Sequence, residues 1–153
     1  MTLVAVLVVA ASGEAVVDTA RAYLGYPYVY GGRGRGFDCS SFVQTVYATH
    51  GYHLPRTSRL QAENGRAVPW EALQPGDLLF FSEAPGSSAV THVGIAVDSQ
   101  RMIHASTGRA EVVIDPLDMS YYRERRLSAR RVLDAPPEAY PPAATQVEQD
   151  EPS

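Results

Sequence analysis

The pattern of apolar and polar positions divides the chain into a helical first part and a strand-rich second part. From Glu14 to Leu24 the apolar residues recur at helical spacing, and Gly25 and Pro27 end this segment. A second helix is predicted over residues 39–50, because its apolar residues form one stripe and a glycine follows it.

The second part shows the period of β-strands. The run "LQPGDLLFF" predicts a turn and then a buried strand from Asp77 to Phe81. The runs "VTHVGIAVD" and "RMIHAS" predict two alternating strands joined by a short turn, and "EVVIDPL" predicts a further short strand. Helices followed by antiparallel strands are typical of an α+β domain. We therefore expect one domain over residues 14–134, with its N-terminal helices packed on a central antiparallel sheet.

Residues 1–13 form an apolar segment of a different kind. The stretch from Thr2 to Ala11 is too short for a membrane span, which needs about 20 residues. It resembles the apolar region of a signal peptide, although no Arg or Lys precedes it. The alternatives are a buried strand, a helix start or the stub of a longer leader. We expect a secreted or cell-envelope protein without a stable membrane span, with a cytoplasmic location as the alternative.

Residues 135–153 are rich in proline, alanine and acids, which predicts a disordered tail. The formal charge is −4, and the tail contributes four acids without a base. The rest of the chain is therefore formally neutral, which argues against a domain built to hold nucleic acid. The run "GGRGRG" is interpreted as a tight loop, and no nucleic-acid partner is expected.

The single cysteine, Cys39, excludes an internal disulfide and an all-cysteine zinc site. It is expected to begin the second helix, directly after Asp38, which can cap that helix. Free backbone N–H groups and the helix dipole at this position favour a thiolate. A small buried hydrophobic residue could occupy the same place, so the position alone does not separate a nucleophile from a core residue.

The histidines favour the nucleophile. His50 and His53 lie at a helix end, where solvated residues are expected, whereas His92 and His104 lie inside alternating apolar strands. The latter two are symmetric about Asp98, so a hairpin places them on the same face of adjacent strands, opposite or nearly so.

These three residues have one consistent chemical interpretation. Cys39 attacks a carbonyl carbon, His92 holds and transfers the proton, and His104 orients His92. A competing interpretation makes the same three residues ligands of a catalytic zinc. No closely spaced ligand pair supports that alternative, so we expect neither a metal nor another cofactor.

In combination, "PYVYGGRGRGFDCSSFVQTVY", "LPRTS", "LQPGDLLFF", "THVGIAVD" and "MIHAS" resemble the NlpC-type cell-wall cysteine peptidases, which are papain-like in fold. The resemblance extends from about Ala15 to Val132. It implies the same triad of Cys39, His92 and His104. It also implies that Tyr28 helps the Cys39 N–H to stabilise an oxyanion. Further residues that it implies at the site, in contact with a substrate amine or carbonyl, are Asp38 and Ser40.

The activity implied by this resemblance is hydrolysis of an amide bond in the peptidoglycan stem peptide, next to D-glutamate and a diamino acid, through a thioester. Two alternatives remain: a papain-like amidase or acyltransferase with a non-wall substrate, and a catalytically idle wall-binding module. The sequence departs from the family pattern at Ser41, where glycine is common, and at Tyr30, where tryptophan is common.

Overall fold

The structure is a computed structural model that describes residues 10–32 and 35–142, and it begins with two helices. Helix α1 (Gly13–Arg21) and helix α2 (Cys39–Ala48) lie where the apolar spacing predicts them, and each ends two or three residues early. A short helix α3 (Ser58–Gln61) follows, which the sequence pattern did not predict. No helix in the described part of the chain is long and apolar enough to cross a membrane.

A six-stranded antiparallel sheet forms the rest of the domain. Its strand order is β1-β6-β2-β3-β4-β5, so the last strand lies between the first and the second. A helix α4 (Ser120–Arg125) leads directly into this last strand. The strands are β1 (Arg66–Val68), β2 (Leu78–Phe81), β3 (His92–Ala96), β4 (Arg101–Ser106), β5 (Glu111–Pro116) and β6 (Arg126–Arg131).

Alternation along the strands separates two apolar clusters. The larger one joins α1 and α2 to the sheet through fully buried side chains that include Phe42, Tyr47, Phe80, Val93 and Ile103. The smaller one includes Leu79, Phe81, Met102 and Tyr122, which links it to α4. Helices packed on an antiparallel sheet confirm the α+β prediction.

Strand β6 was missed because its arginines hide the apolar pattern. Arg131 donates from two nitrogens to the two carboxylate oxygens of Asp77, both at 2.9 Å. Asp77 is only 1% exposed. Removing one partner of such a buried pair costs about 3 kcal/mol of stability, so this pair helps to hold β6 in the sheet.

The β3–β4 hairpin differs from the expected register by a small amount. Ile95 pairs with Ile103 and Ala96 pairs with Met102, so the hairpin is centred on Ser99 rather than on Asp98. The two strand histidines keep the same face but lie on a diagonal instead of directly opposite each other.

The two chain ends also differ from expectation where they are described. Ser12 accepts a hydrogen bond from the Ala15 N–H and caps α1, so the domain begins before residue 14. The disordered tail does not begin at residue 135: the Tyr52 hydroxyl donates to the Ala135 carbonyl at 2.9 Å, and Tyr140 is buried against Tyr52. The packing of Tyr140 against Tyr52 orders the start of this segment, which its content of proline, alanine and acids did not predict. Residues 1–9 and 143–153, which hold most of the proposed leader and tail, lie outside the described residues.

Candidate active site

A reciprocal cap fixes the start of α2, where Cys39 is the first helical residue. The Ser41 N–H donates to the Asp38 carboxylate at 2.8 Å, and the Asp38 N–H donates to the Ser41 hydroxyl at 3.1 Å. Both groups would otherwise lack a partner at the helix start. Ser41, which departs from the family pattern, therefore has a structural role in positioning Cys39.

Glycines let the preceding loop close tightly over this helix start. Gly32 has a φ of +63°, and a Cβ there would lie 2.3 Å from the Ser41 hydroxyl. A Cβ on Gly36 would lie 2.4 Å from the Pro27 carbonyl oxygen. This close approach lets Tyr28 bridge to Phe37, two residues before Cys39.

The Cys39 thiol packs against the start of β3. It donates to the Thr91 carbonyl at 4.0 Å and accepts a hydrogen bond from the N–H of Val93. Thr91 and Val93 are the residues directly before and after His92. The residue is 8% exposed. A helix start and a strand start therefore bring Cys39 and His92 to one place.

His92 begins a chain of hydrogen bonds that leads into the interior. Its Nε2 lies 2.7 Å from Nδ1 of His104, and Nε2 of His104 lies 2.9 Å from the Asp115 carboxylate. His104 and Asp115 are 1% and 2% exposed. The Tyr122 hydroxyl and the Arg109 guanidinium also donate to Asp115, at 3.2 and 2.9 Å.

Gly94 makes this arrangement possible. A Cβ at this position would lie 2.7 Å from Sδ of Met102 and 3.3 Å from Cβ of His104. The space next to Gly94 is therefore filled by the side chains of Met102 and His104 on the neighbouring strand.

The hydrogen bonds determine the tautomers that we assign. The hydrogen bond from His104 lowers the pKa of Asp115 against the opposing effect of burial, and Arg109 and Tyr122 lower it further, so Asp115 is a carboxylate. In the tautomers that we assign, His104 donates from Nε2 to this carboxylate and accepts the Nε2–H of His92 at Nδ1. Nδ1 of His92 is left with its lone pair, which is the form that a general base requires.

Burial keeps both reacting groups neutral at rest. It raises the pKa of Cys39, and the charge of Asp38 adds to this, while the N–H groups of Val93 and Ser40 oppose it. Burial, with a smaller effect of His104, lowers the pKa of His92 to about 3. The expected stabilisation of a thiolate by the helix start is present but outweighed, so the resting pair is a thiol and an imidazole.

This resting state predicts a particular pH dependence of alkylation. Iodoacetamide reacts with the thiolate, and a pKa above the ordinary thiol value of about 8.5 lowers the thiolate fraction at each pH. We expect the alkylation rate of Cys39, followed by mass spectrometry, to be lower than that of N-acetylcysteine at about pH 7 and still rising at about pH 9. A plateau reached below about pH 7 would instead show a thiolate–imidazolium pair.

Other expected residues lie around the thiol. Burial, together with the nearby Cys39 and Asp38, raises the pKa of Tyr28 to about 12, so its phenol remains a hydrogen-bond donor. Burial opposes ionisation of Asp38, but hydrogen bonds from Arg56 and Ser41 outweigh it and lower its pKa. Arg56 donates to Asp38 at 2.6 and 3.1 Å and to the hydroxyl of Ser40 at 2.9 Å.

The zinc alternative is not supported by this geometry. Nε2 of His92 and Nδ1 of His104 are hydrogen-bonded to each other, so these two nitrogens do not point to a common ligand position with Cys39. Within residues 10–32 and 35–142, no group of three His, Cys, Asp or Glu side chains is arranged to hold a metal ion.

Three residues of the site were missed at the level of sequence. Asp115, Arg109 and Tyr122 surround the far side of His104. One signal pointed to them: Asp115 is an acid directly after the apolar residues "VVI", in the strand that follows His104. Its position opposite Met102 places it on the His104 face.

Comparisons with known proteins agree with this architecture. The model of the NlpC/P60 family matches residues 25–131. A γ-D-glutamyl-L-lysine dipeptidyl-peptidase from Bacillus cereus (strain ATCC 10987 / NRS 248) is 41% identical over 123 residues, which cover 80% of this chain and 37% of that protein. This chain thus spans well under half the length of that curated relative.

Solved structures give the same result. An NlpC/P60 family protein from Bacillus cereus ATCC 10987 superposes with a TM-score of 0.77 at 38% identity, covering 82% of this chain and 42% of that one. The NlpC/p60 domain of the peptidoglycan hydrolase SagA superposes with a TM-score of 0.68 at 31% identity, covering 79% of this chain and 99% of that one. The papain-like α+β fold is confirmed, and the chain belongs to the NlpC/P60 family.

Proposed function

We propose that this chain is a cysteine endopeptidase that hydrolyses an amide bond in the peptidoglycan stem peptide, between the γ-carboxyl of D-glutamate and a diamino acid. The observation that carries the proposal is the Cys39 thiol against the backbone of Thr91 and Val93, the chain neighbours of His92, whose imidazole begins the hydrogen-bond chain through His104 to Asp115. The bond and the wall substrate are suggested by the names of the dipeptidyl-peptidase relative and of SagA.

The first step forms a tetrahedral intermediate. Sγ of Cys39 bonds to the carbonyl carbon while its proton moves to Nδ1 of His92, and the carbonyl electron pair moves onto oxygen. The new positive charge on His92 is stabilised by Asp115 through His104. A buried carboxylate suits this task because the low local dielectric strengthens its interaction with the imidazolium.

The oxygen that becomes negative needs hydrogen-bond donors. Cys39 is the first residue of α2, where backbone N–H groups have no partner within the helix. The phenol of Tyr28 adds a second donor. Together these groups act as the oxyanion hole.

The remaining steps return the enzyme to its starting form. His92 gives its proton to the leaving nitrogen, the C–N bond breaks, and the acyl group stays on Cys39 as a thioester. A water molecule then loses a proton to His92 and attacks the thioester carbon. The C–S bond breaks, and His92 returns the proton to Cys39.

In this proposal Asp38 and Ser40 bind the acyl side of the substrate. They flank Cys39 at the start of α2, and Arg56 donates to both side chains. The Asp38 carboxylate can accept from a substrate amine, and the Ser40 hydroxyl can donate to a carbonyl.

Product analysis with and without the thiol tests the proposal. The purified protein is incubated with peptidoglycan and with L-Ala–γ-D-Glu–L-Lys, and products are identified by mass spectrometry. We expect cleavage after D-glutamate by the wild type and none by Cys39→Ala. Equal products from both proteins would overturn the nucleophile, and no cleavage by either would favour a binding module.

The compartment follows from the substrate. Peptidoglycan lies outside the cytoplasmic membrane, so we place the action of the protein in the cell envelope or the medium. Detection of the protein in the envelope or culture fraction, with a cytoplasmic enzyme as the marker for lysis, checks this placement.

A further inference from the structure

A cavity of about 400 Å³ lies beside the two histidines of the site. His92 and His104 line it, whereas Tyr28, Cys39 and Asp38 do not. Its polar wall is the turn between β4 and β5, which includes Arg109. The opposite wall belongs to α4 and the residue before it, with Met119 37% and Tyr121 52% exposed.

The chemistry of the reaction assigns an occupant to this cavity. His92 must donate to the nitrogen of the departing amine, so that part of the substrate lies within hydrogen-bond reach of His92. The acyl part lies towards Cys39 and Asp38. The leaving part therefore extends past His92 into the cavity.

Arg109 supplies a cationic group in this cavity. Its side chain is 56% exposed, and one nitrogen donates to Asp115 at 2.9 Å. Asp115 also accepts hydrogen bonds from His104 and Tyr122, so its negative charge does not depend on Arg109 alone. A guanidinium has five N–H donors, and the outer ones remain for a second carboxylate.

The turn that carries Arg109 is held on both sides. The Arg109 N–H donates to the Ser106 hydroxyl at 3.1 Å, and the Tyr28 N–H donates to the Ala110 carbonyl at 2.9 Å. On the other wall the Arg125 guanidinium lies 3.9 Å over the centre of the Tyr121 ring. A held cation facing an apolar wall suits an aliphatic side chain or backbone that ends in a carboxylate.

We infer that this cavity binds the leaving side of the substrate and that Arg109 selects a leaving residue bearing a carboxylate. The inference rests on the proposed function and deepens it. Two sources share this chemistry: the α-carboxylate of the leaving residue, and a second carboxylate at the end of its side chain.

Three matched peptides distinguish the sources. They are L-Ala–γ-D-Glu–meso-diaminopimelate, the same peptide amidated at the α-carboxylate, and the same peptide amidated at the side-chain carboxylate. We expect one amidation to lower wild-type kcat/KM about 10-fold, because a charge-assisted hydrogen bond becomes a neutral one. The peptide that loses activity identifies the carboxylate that Arg109 binds.

The variant Arg109→Gln is expected to cleave all three peptides with equal kcat/KM. Loss of the Asp115 contact alone would lower all three rates by the same factor and keep the preference. Arg123→Gln, at an exposed arginine of α4 outside the cavity, is the matched control and keeps the wild-type preference. Equal wild-type rates on all three peptides, or a preference that survives in Arg109→Gln, would overturn the inference.

Binding separates this inference from the peptidase proposal. In a Cys39→Ala background the dissociation constants of the three peptides are measured by titration calorimetry, with and without Arg109→Gln. A carboxylate preference that disappears with Arg109 supports the cavity assignment even if the wild type cleaves nothing. Equal affinities for the three peptides count against it even if cleavage occurs.

Discussion

Replacing His92 by alanine is expected to lower kcat/KM about 10³-fold, since a positioned general base contributes a factor of about 10² to 10⁴. Nδ1 of His92 is the acceptor for the thiol proton in our assignment, and the other nearby imidazole, His104, has both nitrogens occupied by His92 and Asp115. The remaining activity would come from the oxyanion donors and from substrate binding.

Alkylation gives a second measurement on the same variant. His92 and Cys39 are both neutral at rest, so removing the imidazole removes no ion pair from the thiol. We expect the iodoacetamide rate of His92→Ala to stay within about threefold of the wild type at each pH, while peptide cleavage is lost. His50→Gln is the control, because the imidazole of His50 bonds to the Thr19 hydroxyl of α1 and not to a residue of the site. A His92→Ala enzyme with more than a tenth of wild-type kcat/KM would contradict the base assignment.

The helices and central strands were predictable because local signals agree with the tertiary structure there. Helix α2 has an apolar stripe, a capping aspartate and a closing glycine, and β2 to β5 have apolar runs bounded by turns. Strand β6 gives no such signal, since three of its six residues are arginines. Its place in the sheet depends on a partner 54 residues away, Asp77. Sequence periodicity does not report a long-range ion pair of this kind.

The site was predictable to a similar depth. Strand alternation puts His92 and His104 on one face, and that conclusion survives the two-residue shift in register because a shift by an even number keeps the face. The role of Gly94 was less accessible. The small size of a glycine in a strand is compatible with room for a substrate or a second element, but here Met102 and His104 fill the space. Only the packing shows which side chain fills a gap.

The ionisation of the thiol was also beyond the sequence. The position of Cys39 at a helix start was correct, and its N–H neighbours do lower its pKa. The depth of burial, which raises the pKa more, depends on how β3 packs on α2. The net shift of the Cys39 pKa depends on which of these opposing effects is larger, and their magnitudes depend on the tertiary structure.

Asp115→Asn is expected to lower kcat about 10²-fold with little change in KM. Asparagine keeps the size but removes the negative charge that stabilises the imidazolium, and its amide can present a donor to His104 in place of an acceptor. Replacement of an aspartate that contacts the catalytic histidine directly costs about 10⁴ in kcat. Here His104 lies between the two groups, so the expected loss is smaller. Asp115 acts through another residue, which makes it a positioning residue.

Asp77→Asn is the matched control for this change. Both aspartates are about equally buried and each is paired with an arginine, Arg109 or Arg131, but Asp77 has no contact with the histidines. Both variants should unfold at lower urea concentration, because each removes the charge of a buried carboxylate that accepts hydrogen bonds from its neighbours. Only Asp115→Asn should lower kcat per folded molecule.

The ¹⁵N chemical shifts of the imidazole rings separate positioning from loss of structure. In the wild type, Nδ1 of His92 and Nδ1 of His104 should both have the shift of an unprotonated nitrogen. In Asp115→Asn, an amide donor facing His104 favours protonation at Nδ1 of His104, which reverses the chain and leaves His92 with its proton on Nδ1. Unchanged shifts together with wild-type kcat would remove Asp115 from the mechanism. Unchanged shifts with a lower kcat would show that the negative charge of Asp115 contributes to kcat but that its carboxylate is not needed to set the tautomer of His92.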